Sequence, residues 1–140
     1  MTNVTYLRSS TDGAAAHALV SLLDRAPADD FDPRPIKRLC ERMPLHEAED
    51  QICRLLEDIA LRLEQLQRGL AARDLKVMAP AARRVALTGR QMGLLEVADS
   101  AQHVGRCLAT NDGVALQAVM ARLERAFDVA VNEAWNLREM

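Results

Sequence analysis

The strongest constraint in this sequence is a spacing. Ile52, Leu56, Ile59, Leu63, Leu66 and Leu70 alternate between steps of four and steps of three. An α-helix turns by about 100° per residue, so residues spaced this way share one stripe. A strand would instead need alternation by two. The pattern predicts a helix over about 46–72, and it returns twice more without a change of period. Leu94, Val97, Ala101, Val104 and Leu108 form one further seam, and Leu116, Met120, Leu123, Phe127 and Val131 another, with Trp135 one turn beyond. Met78, Ala81, Ala82, Val85, Gly89 and Met92 share a face between them.

The breaks in the pattern carry turn chemistry. Asp74 is placed to cap the second of these helices, Gly93 to end it, and Asn111, Asp112 and Gly113 to make the following turn. Pro80 falls inside the second helix, which predicts a kink or a late start there. Four amphipathic helices on short connections bury their stripes most simply as an all-α, antiparallel up-down-up-down four-helix bundle over residues 45–140. Residues 1–44 read as an N-terminal extension with one or two extra helices. One spans about 13–26 with Ala15, Leu19, Leu22, Leu23 and Ala26; a short one spans about 34–43 with Ile36, Leu39, Cys40 and Met43, ended by Pro44.

Composition agrees with helices. The chain is 49% hydrophobic but only 3% aromatic, so its core is built from Leu, Ala, Val, Ile and Met, and strands lean on β-branched and aromatic residues instead. With 140 residues there is material for one core and not for two. Eighteen basic and twenty acidic residues leave a formal charge of −2, without the positive excess that drives general nucleic-acid binding. The chain shows neither a signal peptide nor an apolar run approaching the ~20 residues of a bilayer span, so a cytoplasmic protein away from membranes is expected. Cys40, Cys53 and Cys107 are odd in number and far apart, which favours reduced thiols. His17, His46 and His103 stand alone, without the spacing of a metal site, and the glycines are too scattered for a phosphate loop. Neither a metal nor a cofactor is expected.

One face is unusual. Opposite the buried stripe of the 74–93 helix lie Lys76, Arg83, Leu87 and Arg90, with Arg84 on a flank. Every charge there is positive, and an apolar residue ringed by arginines has the make-up of a small protein-docking patch as well as that of a solvated surface.

From about 48 to 131 the chain resembles the histidine-containing phosphotransfer (HPt) domain of bacterial phosphorelays. Residues 66–83, LQRGLAARDLKVMAPAAR, resemble that family's helix end, Gly/Asp turn and approach to the phosphorylated histidine. Met92-Gly93, the run LLEVADSAQHV, the Asn111-Asp112-Gly113 turn and LQAVMARLERAF follow its second half. In the register set by Asp74 and Gly93, the phosphoacceptor position is Arg83, the family's lysine is Ala86 and its small glycine is Leu87. A guanidinium stays protonated and is not nucleophilic, so relay through this position is not expected. The resemblance implies instead a degenerate member that binds a response-regulator receiver domain or a histidine kinase through Arg83, Arg84, Leu87, Arg90 and Lys76. Two other readings stand beside it. One is an active phosphotransfer protein that uses His103, on the outer side of its helix; the other is a structural helical module that self-associates, for instance as a homodimer.

Overall fold

The computed structural model describes residues 30–139, with side chains as far as Asn132. The expected helix at 13–26 with its apolar stripe, His17 and the Trp135 side chain lie outside the described residues. Those described are helical, with no strand among them. Five helices follow in order: α1 (Arg34–Arg42), α2 (Leu45–Ala72), α3 (Leu75–Gln91), α4 (Leu95–Ala109) and α5 (Gly113–Glu139).

Each of α2 to α5 packs on the helix before it in sequence, and α1 lies against α2. The stripes meet in one core: Ile52, Ile59, Leu63 and Leu66 from α2, Met78 and Val85 from α3, Val97 and Val104 from α4, and Leu123 and Phe127 from α5 are almost fully buried. Ile36 brings α1 into the same core at 2% exposure. A hydrogen bond from Gln67 Nε2 to Glu124 Oε1 (3.1 Å) joins α2 to α5, which is compatible with a closed bundle.

Three helix ends share one construction. After α2, α3 and α4 a residue enters the left-handed region (Arg73, φ 56°; Gly93, φ 74°; Asn111, φ 55°). The following N–H then turns back to a carbonyl five residues earlier: Asp74 to Gly69 (2.8 Å), Leu94 to Gly89 (2.8 Å) and Asp112 to Cys107 (3.1 Å). This closure satisfies carbonyls that the helix end would leave unpaired. Only Gly93 has no alternative. A Cβ there would come 1.8 Å from the carbonyl oxygen of Asp32, because the incoming chain crosses at that point. The crossing is held by Asp32 N–H to Gly93 O (2.8 Å) and Leu95 N–H to Asp30 O (3.0 Å), a short antiparallel bridge between Phe31 and Leu94.

Two local expectations need refinement. Asp74 stands at the cap of α3, but its side chain makes no capping bond; Asp112 does cap, accepting the Ala115 N–H at 3.1 Å. Pro80 does not delay α3, which starts at Leu75 and runs through it. The proline is exposed and lies in the second turn, so the Lys76 carbonyl that loses its helical donor is on the solvent side.

Candidate protein-docking site

Helix α3 is wedged between α2 and α4, and its two flanks have different chemistry. The side toward α2 is polar and engaged. Asp58 Oδ2 of α2 accepts from Arg84 Nε (3.1 Å) and from the buried Thr88 Oγ1 (3.1 Å). Arg62 Nε lies 3.5 Å from the other carboxylate oxygen, close enough for ion pairing but not aligned for a hydrogen bond. Arg84 is thus taken up by an internal contact and leaves the positive face.

The side toward α4 is narrow because small residues line the contact. A Cβ on Gly89 would sit 3.3 Å from the Ala98 amide nitrogen and 3.4 Å from the Leu94 carbonyl oxygen, so the two helices approach almost backbone to backbone. Beyond this contact the helices open into a shallow groove of about 600 Å³. Its floor is Ala82, Ala86, Ala101, Gly105 and Ala109, and its rim carries Arg83, Leu87, Arg90, Gln102 and Arg106. No carboxylate lines it among the described residues. Arg83, Arg90 and Arg106 are exposed and form no ion pair with described residues, and Leu87 is 51% exposed.

Of the residues singled out by helical counting, Arg83, Leu87 and Arg90 come together at this groove. Lys76 shares their angular position two turns earlier but does not line it, and Arg84 faces the other way. The counting missed Arg106 and Gln102. They lie opposite on α4, where the stripe shows which side is buried but not which flank abuts α3. His103 is half-buried rather than on the outer side of α4, and it does not line the groove. It stands two turns after Glu96, on the flank where Glu96 receives Arg122 Nε of α5 at 2.6 Å. No described group of three or more His, Cys, Asp or Glu could hold a metal ion, and no described helix is long and apolar enough to cross a membrane.

A cationic rim, one apolar anchor and a floor without long side chains suit a complementary acidic protein surface. The small floor admits close approach, and the arginines supply attraction and orientation. The chain matches no family model, no curated protein and no solved structure.

Proposed function

We propose that the chain is a degenerate HPt-like protein, a cytoplasmic four-helix bundle preceded by an extension. It docks a receiver or histidine-kinase domain on the α3–α4 groove and transfers no phosphate through the usual position. The observation that carries this reading is the placement of Arg83 on the rim of a groove shared with Arg90, Arg106 and the half-exposed Leu87. A receiver domain presents an acidic pocket, as the family resemblance implies, and a guanidinium can pair with a carboxylate or phosphoaspartate but cannot accept the phosphoryl group. Exposed charge pairs contribute only ~0–1 kcal/mol each, so Leu87 and the alanine floor must supply apolar contact.

Calorimetry of the full chain against the receiver and histidine-kinase domains of its source organism is the direct test. Binding should weaken by about tenfold or more in both Arg83→Glu and Leu87→Asp, the size expected for a central anchor. Lack of binding to every such domain overturns the proposal. Acid-labile phosphate on His103 after incubation with a phosphorylated receiver replaces it with the reading of an active phosphotransfer protein that uses a displaced histidine.

A further inference from the structure

The cationic groove continues past Arg90. On the other side of that residue a second groove, of about 370 Å³, opens between α1, α2 and the end of α3, and its charged lining is Arg38, Arg42 and Arg90. Arg90 belongs to both grooves, and no carboxylate lines either among the described residues. Arg38, Arg42, Arg83, Arg90 and Arg106 form no ion pair with described residues, whereas Arg34, Arg62, Arg68, Arg84 and Arg122 each have a carboxylate partner. Asp32, whose carboxyl also feels the Arg38 charge, takes Arg34 Nη2 at 2.9 Å and Nε at 3.0 Å.

We propose that the two grooves form one cationic track that takes an acidic, partly apolar segment of a partner protein, running from the α3–α4 groove across Arg90 onto α1. Arg83 and Arg90 are two turns apart on α3, about 10 Å along the axis, which matches carboxylates repeated at helical spacing. Leu87 in the first groove and Leu39 and Leu55 in the second give apolar contact on either side of Arg90. A nucleic acid fits less well, because neither groove has an aromatic platform for bases and the chain as a whole carries −2. The track goes beyond the receiver-docking reading: it shares the first groove with it but requires no receiver domain.

Fluorescence anisotropy of the full chain tests this with a labelled helical peptide of roughly fifteen residues, Glu and Leu set at helical spacing. A single-stranded oligonucleotide of equal charge runs in parallel, and circular dichroism checks each variant. Peptide binding should fall with salt, weaken about tenfold in Arg83→Glu, and weaken at least about threefold in Arg38→Glu/Arg42→Glu, as screened charge reversals at a rim do. Binding unchanged in the α1 double variant ends the track at Arg90 and overturns the inference. Absence of peptide binding, or tighter binding of the oligonucleotide, overturns it as well. Peptide binding that survives while every receiver and kinase domain fails to bind removes the docking partner proposed above and leaves the track in place.

Discussion

Arg83 lines the α3–α4 groove, whereas Arg84, its neighbour in sequence, gives its Nε to Asp58 at 3.1 Å. Helical counting puts these side chains about 100° apart, but no periodicity reveals that α2 carries a carboxylate at the height of one of them. Helical counting therefore brings Arg83, Leu87 and Arg90 together, but reveals neither the pairing of Arg84 with Asp58 nor the place of Lys76 outside the groove. Gly93 shows the same division. The sequence marks it as a helix end; only the structure shows the Asp32 carbonyl lying where a side chain would begin. Gly93→Ala combines a left-handed backbone with a Cβ only 1.8 Å from the Asp32 carbonyl oxygen. It should destabilise the protein by about 2 kcal/mol or more, read as a drop in the urea midpoint with an unchanged slope. A variant as stable as the parent would show that the chain crossing is not held in solution.

At the scale of elements, the starts and ends of α2 to α5 follow the alternation of fours and threes closely, because each stripe is continuous and each turn has a residue suited to it. Lateral relations were less accessible. Which flank of α4 meets α3 depends on Gly89, Ala98 and Ala101 allowing close approach, and Arg106 and Gln102 enter the groove only as a result. The ion pair between α4 and α5 was likewise invisible in the pattern. Arg122 hydrogen-bonds to Glu96 and holds its carboxyl below the usual range, aided by the Arg122 charge and Ser100 and opposed by burial. A carboxylate depressed in the folded state stabilises fully above its unfolded value of about 4.3, and that stabilisation is lost as pH falls through the folded value. Both side chains are about 40% exposed, so the pair contributes at most ~1 kcal/mol. Glu96→Gln should therefore lower stability slightly at neutral pH and flatten the acid limb below about pH 4.3, measured as urea midpoints across pH. An acid limb identical to the parent's would remove this pair from the acid response.

For the molecule as a whole, the formal charge of −2 conceals a division in which one side of α3 is entirely cationic at its rim while on the other side Asp58 of α2 is paired with Arg84. The core is similarly wider than the four long helices. Ile36 is 2% exposed and belongs to the central cluster, so α1 is expected to unfold together with α2 to α5. Ile36→Ala should cost about 2–4 kcal/mol and still give one cooperative transition by both circular dichroism and hydrogen exchange. A separate early transition for α1 would mean that it rides on the remaining helices without sharing their stability. The bridge between Phe31 and Leu94 sets α1 in place, and it has a kinetic meaning too. The main helix contacts join sequential neighbours, while this one closes a loop of about 60 residues, an entropic cost that grows with the logarithm of length. The helical hairpins can assemble first at little cost and so shorten the distance the bridge must span. The second groove, which needs α1, would then be completed last, making the end of the cationic track the final part of the surface to form during folding.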